Sequence, residues 1–138
     1  MKDQLSIRIG NSITEVSSAL DESMSWLCQF EVSAKAQYFV RLAIEELATN
    51  WIKYGCLETQ EHLMTFELRH TAERMILKVA DNGTAFNPLD VPIPSTDLPL
   101  EERDLGGIGI LLLRKMADQM SYEHRDGMNI LTLEKASQ

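Results

Sequence analysis

The chain has 138 residues and a mass of 15.6 kDa, which is the size of a single domain. Hydrophobic residues make up 44% of it, enough for a packed core and too many for a disordered chain. Thirteen basic against twenty-one acidic residues give a net charge of −8, and no basic stripe suited to a nucleic acid duplex is present. Any phosphate ligand must therefore be held by backbone N–H groups, a metal ion or a few placed cations.

Three features predict a protein of the cytoplasm. Residues 1–9 lack the charged start and long apolar stretch of a signal peptide. The longest apolar run, residues 108–113, is far too short to cross a bilayer. The two cysteines, Cys28 and Cys56, do not make a disulfide framework. We therefore expect neither a membrane segment nor an oxidising compartment.

The first half of the chain predicts one strand and two helices. Apolar and polar residues alternate over 5–9, which is typical of a strand with one buried face. Residues 12–15 have capping-box spacing and open a helix that runs to about residue 28. Ser33 is the expected N-cap of a longer helix, which reaches about Tyr54 and ends at Gly55.

The second half predicts two hairpins separated by a long loop and a helix. Alternating residues over 64–68 and 75–79 predict the first hairpin. The acidic stretch 82–105 holds all four prolines, and a structureless stretch of that length is usually functional or disordered. Residues 106–109 open a helix to about Met120, and a last hairpin turns at residues 126–127. This order predicts an α+β two-layer sandwich, with a mixed, mostly antiparallel sheet and the helices on one face.

The long helix carries the first group of polar residues that could do chemistry. Glu46 and Asn50 are four residues apart and share a face, and Lys53 follows on the same side. An amide oxygen suits magnesium, a carboxylate can deprotonate a hydroxyl, and an ammonium can contact a phosphate. A solvated polar stripe is the alternative interpretation.

The other two groups lie where a strand ends and where a helix begins. Asp81 follows a strand and can accept a hydrogen bond from an exocyclic amine, while Gly83 lets a planar base approach the backbone. An ordinary Asp-Asn-Gly turn is the alternative. The glycines of residues 106–109 can present free N–H groups to an anion. Their spacing matches neither a P-loop nor a dinucleotide fingerprint.

Taken in order, the three groups resemble the motifs of a known ATPase family. The matches are E-x-x-x-N at Glu46 and Asn50, D-x-G at Asp81 and Gly83, and G-x-G at Gly107 and Gly109. The chain resembles the ATPase domain shared by gyrase, histidine kinases and MutL-type proteins, and within it the small bacterial anti-sigma-factor serine-protein kinases. The likeness covers nearly the whole chain and implies a single ATP-binding domain over residues 1–138, with an ATP lid at about 84–106.

The resemblance implies a role for each matched residue. Glu46 would be the general base toward a protein serine, and Asn50 would bind magnesium and ATP. Asp81 would accept a hydrogen bond from the adenine amine. The further residues that the resemblance places at ATP are Lys53, Gly83, Phe86, Gly107, Ile108, Gly109, Ile110 and Asn129.

The resemblance also implies a function in transcription regulation. The chain would be an ATP-dependent serine/threonine-protein kinase, with ATP and magnesium as cofactors. It would hold a sigma factor or similar regulatory protein in one nucleotide state, ATP or ADP, and phosphorylate a small anti-sigma antagonist in the other. Such kinases are often dimers, so a homodimer is expected, without direct contact to nucleic acid. Two alternatives stay open: an ATP-binding regulatory switch module without phosphoryl transfer, and a detached histidine-kinase ATPase core.

Three residues depart from the pattern of this family. Ala85 stands where many relatives have a second glycine, and Asn129 where many have threonine. Trp51 stands beside Asn50 where alanine is common, so it either packs in the core or alters the pocket wall. None of these departures removes a motif residue.

Overall fold

The computed structural model describes residues 3–56, 61–92 and 106–138, and it places three helices against one face of a five-stranded sheet. The strands are β1 (Gln4–Gly10), β2 (Leu63–His70), β3 (Arg74–Asp81), β4 (Gln119–Arg125) and β5 (Met128–Ala136). The helices are α1 (Ile13–Leu27), α2 (Ala34–Asn50) and α3 (Gly106–Met116). A π-helical turn at Trp51–Gly55 and a 3-10 turn at Pro88–Asp90 complete the described elements.

The sheet has the order β1-β2-β3-β5-β4, and all four neighbouring pairs are antiparallel. The predicted two-layer α+β fold with a mostly antiparallel sheet is therefore confirmed. The prediction allowed a mixed sheet, but no parallel pair occurs among the described strands. Because β5 inserts between β3 and β4, the ends of β3 and β5 lie side by side. That placement matters for the site described below.

The core lies between the helices and the inner face of the sheet. Strands β2 and β3 supply alternate residues that are at most 3% exposed, as their sequence periodicity predicts: Met64, Phe66, Leu68, Met75, Leu77 and Val79. From the helix layer, Leu27, Phe39 and Ile44 are at most 1% exposed. Burial of apolar surface from both layers is the main force that holds the sheet and helices together.

The two predicted hairpins form, and each has a local cause. Thr71 closes the β2–β3 turn, since its N–H donates to the Arg74 carbonyl at 2.9 Å. The β4–β5 turn has Asp126 at φ 55° and Gly127 at φ 76°. Two successive positive φ angles match the twist of antiparallel strands, which is why Asp-Gly is favoured in such turns.

Two helix ends differ from the sequence-based expectation. Helix α2 ends at Asn50, and the chain continues to Gly55 as a π-helical turn rather than as an α-helix. Helix α3 ends at Met116 rather than at Met120, because Met120 pairs with Leu133 in the sheet. For α3, pairing of the following residues in the sheet decides where the helix stops.

The two predicted helix caps have different outcomes. Ser33 caps α2 as expected, accepting a hydrogen bond from the Ala36 N–H at 3.1 Å. Ser12 is the N-cap residue of α1, but its side chain makes no capping hydrogen bond, so the predicted capping box does not form.

Within the described ranges, the structure contains no helix that is both long and apolar enough to cross a membrane.

Candidate functional site

A cavity of about 550 Å³ opens between the C-terminal end of α2, the adjoining ends of β3 and β5, and the loop after β3. That volume lies within the range of small-molecule sites. Most of the wall is apolar, and a few polar side chains converge on it. The lining residues that carry the following argument are Asn50, Trp51, Asp81, Phe86, Asp90, Ile110, Tyr122 and Asn129.

Asp81 is the central acidic group of the cavity. It ends β3 and faces the helix layer, paired with Met64 on one side and Asn129 on the other. Its Oδ1 accepts hydrogen bonds from the Gly83 N–H at 2.8 Å and from Asn129 Nδ2 at 3.0 Å. The described residues donate no hydrogen bond to Oδ2, which stays available for a ligand. Burial raises the pKa of Asp81, and the bonds from Asn129 and Gly83 oppose that rise.

Gly83 is required because two segments of the chain approach it closely. A β-carbon there would lie 2.6 Å from the Gly55 carbonyl oxygen and 3.0 Å from Asp81 Oδ1. The neighbouring Thr84 N–H donates to the same Gly55 oxygen at 2.9 Å. The D-x-G turn therefore packs directly on the end of the π-helical turn, and glycine is the residue that fits.

Asn129 is buried, 6% exposed, and saturated with hydrogen bonds from the protein. Its Nδ2 donates to Asp81 Oδ1 and to the Thr84 carbonyl, both at 3.0 Å. Its Oδ1 accepts from the Phe86 N–H at 3.1 Å and from the Tyr122 hydroxyl. Tyr122 was not singled out in the sequence, because only the register of β4 on β5 brings its hydroxyl here. Burial raises the pKa of Tyr122.

Of the three polar residues predicted on one face of the long helix, Glu46 and Asn50 lie one turn apart in α2, but only Asn50 reaches the cavity. Asn50 lines the cavity. Glu46 is half-buried and does not line it; its carboxylate lies against Gly109 of α3, where a β-carbon would overlap it. Lys53 is exposed and lies outside the cavity wall. Since residues 51–55 form a wider π turn, the spacing from Asn50 to Lys53 no longer brings both onto one side.

The glycine-rich motif already belongs to α3, which begins at Gly106. Gly107 therefore lies in its first turn, and Ile108 points outward, 43% exposed. Ile110 is 1% exposed and contributes to the cavity wall. Of the expected lid, residues 84–92 form one wall, whereas residues 93–105 lie outside the described part of the chain.

Two further side chains shape this wall. Trp51 is 5% exposed and lines the cavity, so it both packs in the core and alters the pocket wall. Arg114 of α3 donates from Nη1 to the Val91 carbonyl at 2.8 Å and so connects the described start of the lid to α3.

Cys56, just after the π turn, is half-buried. Burial raises the pKa of its thiol, and the negative charge of Asp81 adds to that rise.

The predicted magnesium ligand fits the donor set of the site. Among the described residues, no cluster of three or more His, Cys, Asp or Glu side chains could hold a metal ion. An Asn oxygen at the cavity wall is, however, the type of hard ligand that magnesium takes together with phosphate oxygens and water. Asn50 therefore suits an ion that arrives with a nucleotide.

The family of the chain is shown by a match that covers most of its length. The model of the histidine kinase-like ATPase domain matches residues 10–135, so the chain belongs to that family. Its relatives are serine kinases. It is 31% identical over 101 residues to the serine/threonine-protein kinase BtrW of Bordetella bronchiseptica, an alignment that covers 73% of this chain and 71% of BtrW. It is 30% identical over 97 residues to the serine-protein kinase RsbW of Bacillus mycoides, covering 67% of this chain and 59% of that protein.

The solved structures support the same fold. The structure of the RsbU and RsbW domains of Rv1364c from Mycobacterium tuberculosis matches with a TM-score of 0.66 and 14% identity. The match covers 99% of this chain and 33% of that one. The predicted ATPase fold and the predicted membership among serine-protein kinases are therefore confirmed. The chain spans about three fifths of the length of the RsbW relatives that it matches.

Proposed function

We propose that the chain is an ATP-dependent protein serine kinase that binds a sigma factor or similar regulatory protein and phosphorylates a small antagonist protein. It would act in the cytoplasm, where ATP and such partners occur. The observation that carries the proposal is the Asp81 carboxylate. It is oriented by hydrogen bonds to Oδ1 and keeps Oδ2 open at the wall of a cavity of about 550 Å³.

The cavity suits an adenine base. An exocyclic amine can donate to Asp81 Oδ2, while the Gly83 N–H holds Oδ1 of the same carboxylate. Phe86 and Ile110 supply apolar surface that can pack on the faces of the base. A carboxylate reads the amine of adenine, whereas guanine presents a carbonyl oxygen at that position and would be repelled.

Phosphoryl transfer would take place at the α2–α3 side of the site. Magnesium bound at Asn50 would neutralise phosphate oxygens. Gly107 and Ile108, in the first turn of α3, would present N–H groups to the phosphates, and Gly109 would leave room beside them. Glu46, beside Gly109, would accept the proton of the serine hydroxyl. The serine oxygen would then bond to the γ-phosphorus while ADP leaves. Lys53, exposed and outside the cavity wall, is not needed for this arrangement.

One observation favours the second function, an ATP-binding switch module without phosphoryl transfer. The Glu46 carboxylate packs on Gly109 and does not line the cavity. A residue in that position can hold α2 and α3 together without acting on a substrate. The two functions differ in whether the γ-phosphate leaves ATP for a protein serine.

The first test separates nucleotide binding from transfer. Calorimetric titration with ATP, with and without magnesium, measures binding, and label transfer from γ-labelled ATP to a small anti-sigma antagonist measures turnover. In Glu46→Gln we expect ATP affinity to persist and transfer to fall about 100- to 10,000-fold. The neighbouring exposed Glu45→Gln is the matched control and should leave both unchanged. ATP binding without transfer in the wild type would support the switch module instead.

A further inference from the structure

Asn129 occupies a position from which one side chain can reach both the base-contacting acid and the loop that begins the lid. It lies on β5 directly opposite Asp81 of β3 and His124 of β4. Its side chain is on the inner face of the sheet with those of Leu131 and Leu133, and only 6% of it is exposed. The loop formed by residues 83–86 passes over it.

The hydrogen bonds of Asn129 leave no group for a ligand. An amide has two N–H donors and one oxygen with two lone pairs. The two shorter Nδ2 contacts take up the donors, at Asp81 Oδ1 and the Thr84 carbonyl. The Phe86 N–H and the Tyr122 hydroxyl take up the oxygen. The Phe86 N–H can only donate, which identifies the end of the amide facing it as the oxygen.

We propose that Asn129 is a positioning residue that holds the Asp81 carboxylate and the start of the lid as one unit and does not itself touch the nucleotide. The proposal rests on the proposed function, in which adenine binds Asp81. The hydrogen bond from Asn129 Nδ2 holds Asp81 Oδ1 toward β5, so that Asp81 Oδ2 faces the base. The same amide fixes the backbone on both sides of Ala85, through the Thr84 carbonyl and the Phe86 N–H.

This arrangement needs an amide at residue 129. A threonine hydroxyl has a single hydrogen, so it could donate to Asp81 or to the Thr84 carbonyl but not to both. A carboxylate would have no donor and would face Asp81 with a like charge. Rotation of the Asp81 carboxylate and displacement of the loop therefore break bonds to the same group, and the base contact is coupled to the loop of residues 83–86.

A double-mutant cycle tests whether Asn129 acts through Asp81. The single variant Asn129→Thr should weaken magnesium-ATP binding about tenfold. In an Asp81→Asn background the same change should add less than about threefold, because residues that act as a unit are not additive. Thr132→Ser, on the opposite face of β5, is the matched control and should keep wild-type affinity. Fully additive losses, or unchanged affinity in Asn129→Thr, would overturn the proposal.

Amide hydrogen exchange tests the link to the loop without any nucleotide. In Asn129→Thr the Phe86 amide should exchange about tenfold faster, while the Thr71 amide in the β2–β3 turn should be unchanged. Tyr122→Phe keeps the Asn129 amide, removes one donor to it, and gives a milder variant should Asn129→Thr not fold. An unchanged Phe86 rate in the folded variants would contradict the proposal. Absence of ATP binding in the wild type would contradict the proposed function instead.

Discussion

Asp81→Asn is expected to weaken ATP binding while leaving the local hydrogen bonds intact. Asparagine keeps an oxygen that accepts from the Gly83 N–H and from Asn129 Nδ2, as Oδ1 does now. Its NH₂ group then takes the place of Oδ2 and meets the adenine amine donor to donor. An unpaired buried polar group costs roughly 1–3 kcal/mol, so affinity should fall roughly 5- to 150-fold.

The same substitution should not destabilise the protein. Burial raises the pKa of Asp81, so the folded chain binds this proton more tightly than the unfolded chain does. The contribution of Asp81 to stability therefore declines as pH rises from its ordinary pKa through the raised one, and above that it is fully unfavourable. Asparagine carries no charge, so at pH 7 the midpoint of thermal unfolding should be equal to or above that of the wild type.

The assay pairs calorimetric titration of magnesium-ATP with thermal unfolding of the nucleotide-free protein. Asp90→Asn is the matched control, because Asp90 is an exposed carboxylate at the same cavity. We expect Asp90→Asn to change affinity by less than about twofold, since exposed charges interact weakly. Unchanged affinity in Asp81→Asn, or an equal loss in the control, would refute the specific contact with the adenine amine.

Three further substitutions test other parts of the structure. Gly109→Ala places a β-carbon on the Glu46 carboxylate. Because misplacement of a catalytic group can cost about 100-fold, we expect label transfer to fall by about that factor while ATP affinity is kept. Unchanged transfer would argue against Glu46 as the base. Trp51→Phe removes a buried indole N–H that has no acceptor among the described residues. Such an arrangement costs about 1–3 kcal/mol, so urea unfolding should show little or no loss of stability despite the smaller ring. Lys135→Met removes the Nζ donor to the Met116 carbonyl at the end of α3 and should lower the free energy of unfolding by about 1–2 kcal/mol, whereas the exposed control Lys78→Met should not.

Local chemistry in the sequence was sufficient for most of the fold. The period-two pattern of β2 and β3 predicted their buried faces, and Ser33 predicted the start of α2. The Asp126-Gly127 pair predicted the β4–β5 turn. These signals are local because each depends on the backbone angles or the exposure of a few neighbouring residues.

The end of α3 was not encoded locally. Met120 continues the apolar pattern of α3, yet it belongs to β4, where it pairs with Leu133. Lys135, distant in sequence, caps the last turn of α3 by donating to the Met116 carbonyl at 2.8 Å. Where a helix stops thus depended on a strand that comes later in the chain.

The motifs identified the residues of the candidate site, but the tertiary structure decided which of them face the cavity. Asp81 and Asn50 line it, whereas the π-helical turn moves Lys53 away and Glu46 packs on Gly109. The role of Asn129 depends on the pairing of β3, β5 and β4, which brings three distant segments to one amide. Sequence determines which chemical groups are present, whereas their distances follow from strand register and helix packing, which involve the whole chain.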